Sequence, residues 1–269
     1  MKKLFRSVTL VLALSLVMSM TVMASPQKSE FNVSELKLAQ DQAYEMVLRG
    51  EAEQADSNPT IKKFKNYFEQ NPEAYAEYIN TLDVLNQDKV NAKLANSEFT
   101  TTADGKLVMR MNDGSFLVTH NTLTDVDGNI MLPESPLLTN AVIQDTKWQT
   151  YSATIGEKFT NDARHDFWGT HKMQEIHLVT KYTVNSTAIQ ITDTSTTGTA
   201  SWFPGTVEPG TPRVLSNNAR EVEATCGYKY GGLVDWGSFS KSASITTSLK
   251  VNYAGSGSIS FSVRSIVEG

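Results

Sequence analysis

The chain has 269 residues, 40% of them hydrophobic, with one cysteine and a formal net charge of −5. That length accommodates one large or two small domains with a buried core, and a lone cysteine excludes an internal disulfide, so stability rests on packing and strand pairing. The acidic balance argues against a nucleic-acid partner, which calls for a basic face, and against purely electrostatic attachment to anionic lipid or wall polymer.

Lys2, Lys3 and Arg6 precede an apolar run from Val8 to Met23, and Val22-Met23-Ala24 supplies acceptable residues before a signal-peptidase cut. Residues 1–24 therefore read as a signal peptide, cleaved before Ser25, and the protein reads as secreted. The run is short for a membrane span, and no cysteine stands at the cut to take a lipid. Loss of those three basic residues leaves 21 of 24 against 29 acidic ones, a formal charge of −8.

Residues 25–97 read as a helical region. Asn32 and Glu35 can form a capping box ahead of Leu36, Ala39, Ala43, Val47 and Leu48, which share one helical face, and Gly50 closes that helix. Asn58-Pro59 and Asn71-Pro72 each pair an N-cap with proline at the first helical position. The first starts a short helix carrying Ile61, Phe64, Tyr67 and Phe68; the second starts a longer one carrying Tyr75, Tyr78, Ile79, Leu82, Leu85, Val90 and Leu94. This aromatic stripe is the helices' only apolar face, so it reads as core. The whole region can also be read as a removable pro-segment.

Residues 98–145 read as hairpin structure and linker. Leu107 to Met111 and Phe116 to His120 flank Asn112-Asp113-Gly114, a strong hairpin signal. Asp127-Gly128-Asn129 marks a second turn, and Pro133 and Pro136 break the chain within a crossing from about Leu132 to Asp145.

Residues 146–269 read as an antiparallel β-sandwich, which makes the fold α+β. Tyr151, Ala153 and Ile155 alternate with polar neighbours, as do Ile176, Leu178, Tyr182 and Val184, with Ile189 and Ile191 following a turn at Asn185-Ser186. Thr192 to Asn218 reads as a long connection that is functional, poorly ordered or hiding an edge strand. The alternation is clearest in Val222, Ala224, Cys226, Tyr228 and Tyr230. It resumes in Phe239, Ala243, Ile245, Leu249, Val251 and Tyr253, and again in Ile259, Phe261 and Val263 after Ala254-Gly255-Ser256-Gly257.

Five constellations are candidates for chemistry, ligand contact or membrane action. His171, Glu175 and His177 fall on one parity of a strand from Lys172 to Val184 and are candidate zinc ligands for a metal-dependent hydrolase, although side chains along one strand diverge and the spacing matches no closed metal motif. Cys226 is a nucleophile by residue type, but its parity predicts a buried thiol with a raised pKa. Asp125, Asp127 and Asn129 resemble the opening of a calcium loop whose closing carboxylate is missing, since Pro136 stands there. Trp148, Trp168, Trp202 and Trp236 suit stacking on sugars. Trp202 with Phe203, and Trp236, lie among turn residues and are the expected ligand-contacting set. The Ser-rich alternating pair Lys241 to Tyr253 and Ser258 to Val263 also fits a hairpin that leaves a soluble fold to line a membrane pore.

The layout of signal peptide, short helical region and Ser/Thr-rich β-domain, with the texture of Cys226 to Val263, resembles uncharacterised exported β-rich proteins of Gram-positive bacteria. That resemblance implies location and transfers no site residue. The expectation is a secreted, non-catalytic module that binds extracellular or cell-wall material, with no cofactor. A membrane-active protein and a metal-dependent hydrolase are the alternatives.

Overall fold

The computed structural model describes residues 32–95, 99–134, 148–201, 205–234 and 237–268, so the segment read as a signal peptide lies outside it. Among these residues the helices are α1 (Val33–Leu48), α2 (Pro59–Gln70), α3 (Pro72–Thr81) and α4 (Gln87–Ala95), with 3-10 turns at Ala52–Ser57 and Asp83–Leu85. The strands are β1 (Thr100–Thr101), β2 (Leu107–Arg110), β3 (Phe116–Thr124), β4 (Gln149–Thr154), β5 (Glu157–Trp168) and β6 (Lys172–Val184). They continue with β7 (Ile189–Ala200), β8 (Gly205–Pro209), β9 (Arg213–Ser216), β10 (Glu221–Val234), β11 (Gly237–Ala254) and β12 (Ser258–Glu268).

The Asn-Pro signals place two helix starts. Asn58 Oδ1 accepts from the Thr60 and Ile61 amides at 2.9 and 3.3 Å, as an N-cap should. Asn71 makes no such bond; its Nδ2 donates back to the Tyr67 carbonyl at 2.8 Å, closing α2 instead. The long helix expected after Pro72 is two helices. The Asp83 and Val84 amides turn away to Asp113 Oδ2 (2.8 Å) and Ser115 Oγ (3.1 Å) in the β2–β3 turn, which ends α3 and fixes the helices to that hairpin. Gly114 occupies that turn at φ +92°, as the Asn-Asp-Gly signal requires.

Six strands form one sheet in the order β1-β2-β3-β5-β6-β7; the second runs β4-β12-β11-β10-β8, with β9 also pairing β10. The chain leaves the first sheet after β3, places β4 beside the last strand of the second, and returns for β5. The inner faces meet through Tyr230 and Phe261, both on the parity the alternation marks as buried: Phe167 contacts Tyr230 at 5.3 Å between ring centres, and Phe159 contacts Phe261 at the same separation. On the outer face of the first sheet, Val108, Phe116, Val118 and Trp168 form a second core with Ala43, Tyr44, Val47, Ala55 and Ile61 of the helical layer. This architecture is the α+β β-sandwich that the sequence suggests.

Two expectations change and one open reading resolves. Glu157–Trp168, not read as a strand, is β5, central to the first sheet. For Thr192 to Asn218 the hidden-edge-strand alternative holds: the stretch carries the second half of β7 together with β8 and β9, and β7 is a largely exposed edge strand whose Ser and Thr residues carry no apolar signature. Tyr253, expected on the buried parity of β11, is 70% exposed, because a register shift between Val251 and Tyr253 turns it to the other face.

Candidate functional site

Glu175 and His177 do share the outer face of β6, but as parts of an ion-pair ladder. His177 Nε2 lies 2.6 Å from Glu175 and Nδ1 lies 3.0 Å from Asp162 of β5. Hydrogen bonds to Asp162 and then Glu175 raise the imidazole to about 9 despite partial burial, so both ring nitrogens carry protons at neutral pH. A ring protonated on both nitrogens has no lone pair for a metal. Glu175 also meets Arg164 Nη2 and Lys172 Nζ, each at 2.7 Å, and Arg164 grips Asp166 with two bonds. The bond from His177 leads the causes that hold Glu175 down at about 2.

His171 stands apart from this pair. It precedes β6 in the β5–β6 turn, fully buried, with its ring 6.2 Å from Tyr75 of α3 and Nδ1 3.0 Å from Thr170 Oγ1. Burial lowers it to about 4, so it is neutral. The shared face expected for His171, Glu175 and His177 is therefore corrected: the helical layer covers the first, and carboxylates enclose the last. Among the described residues no group of three or more His, Cys, Asp or Glu is placed to hold a metal ion.

The remaining sequence candidates are local structure where they are described. Cys226 is buried, burial raises its thiol, and Sγ donates to the Gly210 carbonyl at 3.3 Å. The Asp125 carboxylate accepts from the Asp127 and Asn129 amides and from Asn129 Nδ2, closing its own turn. Trp168 is buried against Phe116, and Trp148 stands between Lys250 and Arg264, 4.0 and 4.5 Å from its ring centre. Trp202, Phe203 and Trp236 lie outside the described residues. The C-terminal hairpin commits Ile245, Leu249, Ile259, Phe261 and Val263 to the core. No helix among the described residues is long and apolar enough to cross a membrane.

What the structure adds is a cavity of about 310 Å³ at one open edge of the sandwich. On β3, β2 covers only Phe116–Thr119 among the described residues, so from His120 onward β3 has a free edge; β4 is the edge of the opposite sheet. A strap, residues 130–134, crosses between these two edges. The Met131 amide donates to Leu123 O at 2.8 Å, the Glu134 amide donates to Thr150 O at 2.7 Å, and Ser152 Oγ bonds the Glu134 carboxylate. Beneath the strap, Leu117, Thr119, Asn121 and Leu123 of β3 face Tyr151 of β4 and Ser265 and Val267 of β12.

The polar groups of this lining are mostly engaged. Thr119 Oγ1 lies 3.1 Å from His165 Nδ1, Ser265 Oγ lies 3.0 Å from Thr247 Oγ1, and Tyr151 donates to Gln149 Oε1 at 3.2 Å. Asn121 Oδ1 is buried with no partner. The Thr119–His165 pair looks like a nucleophile and its base, but burial and then the nearby His177 charge depress His165 to about 3, and its Nε2 has no partner to orient it. So weak a base does not activate a hydroxyl near neutral pH.

Sequence reading missed this site because its walls come from three stretches far apart in the chain. The one local signal is the polar pair Thr119 and Asn121 within the inward parity Leu117-Thr119-Asn121-Leu123 of β3. No protein-family model matches the chain, and neither a curated protein nor a solved structure matches it.

Proposed function

We propose that the chain is a non-catalytic binding module of an exported bacterial protein, and that its ligand sits in the cavity between the sheets. The observation that carries this reading is the strapped cavity, whose largely apolar walls hold a few polar groups, most of them already hydrogen-bonded to protein partners. That is the composition of a site that holds a molecule without transforming it. The apolar run at residues 8–23 and the residues before Ser25 support export, and so a ligand drawn from extracellular or wall material. The contact region assigned from sequence to Trp202, Phe203 and Trp236 gives way in this proposal to the cavity.

The test is a titration of the purified chain with Nile red, a neutral dye that brightens in apolar surroundings. Saturable binding by the wild type, weakened at least tenfold in Asn121→Trp, which fills the cavity, is the expected result. Equal binding by both proteins, with Asn121→Trp still folded by circular dichroism, would refute the placement.

A further inference from the structure

Three features of the lining restrict what the cavity can hold. The first is charge. Asp104 is the lining's acidic side chain, and its carboxylate already accepts from Thr102 Oγ1 at 2.6 Å and lies 2.8 Å from Lys106 Nζ. Burial pushes its pKa up, but the hydrogen bonds from Lys106 and Thr102 outweigh that and keep it below the usual carboxylate value. Burial, with the charges of Lys106 and Arg164, lowers His120, which is therefore neutral at pH 7 and lies 3.3 Å from Thr122 Oγ1. Neither Lys nor Arg is among the lining residues described. A charged head group would lose its hydration here and find no free counter-charge among the described lining residues.

The second feature is hydrogen bonding. Thr119, Tyr151 and Ser265 are already bonded to protein partners, while Asn121 offers a buried acceptor that no described residue satisfies. An orphaned acceptor favours a ligand that brings a donor. The third feature is the way in. Ile130 and Leu132 of the strap line the cavity yet are 67% and 82% exposed, so an apolar surface runs from outside toward Leu117 and Leu123.

We infer that the cavity takes a single-chain, uncharged amphiphile: an alkyl chain held by Leu117, Leu123 and the strap, with a hydroxyl head group donating to Asn121 Oδ1. This inference rests on reading the cavity as the ligand site, and goes further by fixing the chemistry of the occupant.

Displacement of Nile red from the wild-type chain by three probes of equal chain length tests it: 1-decanol, decanoate at pH 8, and decyltrimethylammonium, each below its micelle concentration. The expected result is displacement by 1-decanol at concentrations at least tenfold lower than by either ion. Asn121→Leu, which keeps the space and removes the acceptor, is expected to cut the advantage of 1-decanol over decanoate and decyltrimethylammonium about tenfold; an undiminished advantage would overturn the role of that acceptor. Displacement by decanoate or decyltrimethylammonium as strong as by 1-decanol would overturn the inference and leave the cavity reading standing. Absence of Nile red binding to the wild type would bring down both. Should Asn121→Leu fail to fold, the comparison of head groups on the wild type decides alone.

Discussion

His177 is the side chain whose surroundings set a defined pH dependence. Its pKa rises from an ordinary 6.5 to about 9 because Asp162 and Glu175 hold the charged ring. A group whose pKa is raised on folding stabilises fully below its unfolded pKa, and that contribution fades as pH rises through the folded value. The ladder is only half-buried and Glu175 is shared with Arg164 and Lys172, so the net gain is roughly 1–2 kcal/mol. His177→Gln is expected to lower the melting temperature at pH 6 and to match the wild type above pH 10, where the wild-type ring is also neutral. Thermal unfolding monitored from pH 6 to 10 reads this directly; a constant difference across that range would mean that packing rather than charge is lost. The depressed Glu175 arises from the same contacts, and its share is present above pH 4.5 and lost as pH falls through about 2.

At the scale of elements, the attachment of α3 to the sheet turns on one hydroxyl. Tyr78 Oη accepts from Gln40 Nε2 of α1 at 3.1 Å and from the Thr170 amide of the β5–β6 turn at 2.9 Å. Tyr78→Phe leaves both buried donors unpaired and is expected to cost about 1–3 kcal/mol in urea unfolding. A Cβ on Gly169 would run into that same hydroxyl, which cannot step aside while bonded from two directions, so Gly169→Ala is expected to cost a further ~1–3 kcal/mol. Because Tyr78→Phe removes the obstructing oxygen, the double variant should lose less than the sum of the two. Helix starts at Asn58 and the β2–β3 hairpin were legible from sequence, because their signals lie within four or five residues. The break after Thr81 was not, since the groups that capture the Asp83 and Val84 amides lie 30 and 31 residues further on. β5 was hidden because Asn161 and His165 occupy its buried face and Asp162, Arg164 and Asp166 its other face, which erases the alternation. Of the sequence-derived site, the pairing of Glu175 with His177 survives as geometry, but its meaning reverses. What parity could not reveal is that Asp162, on the neighbouring strand, closes the second side of the imidazole.

For the whole molecule, the helical layer and the sandwich share one core. Residues 43–61 cover Val108, Phe116, Val118 and Trp168, an apolar face of the first sheet that would otherwise meet water. A chain beginning at Phe99 is therefore expected to aggregate or to open the first sheet, visible as loss of the monomer peak in size-exclusion chromatography. A soluble, monomeric product with unchanged strand content would support the pro-segment reading instead. Cavity, strap and sandwich edge likewise form one unit, for the strap is tied at Met131 to one sheet and at Glu134 to the other. Few backbone bonds hold it, so its amides should exchange by local opening, well before those of the sheet centres. The most direct measurement is hydrogen exchange by mass spectrometry, with and without saturating 1-decanol. The expected result is slowed exchange in 117–124, 130–134 and 263–268, with the outer faces unchanged. Unaltered exchange in those three segments at a concentration that displaces Nile red would contradict a ligand held between the sheets.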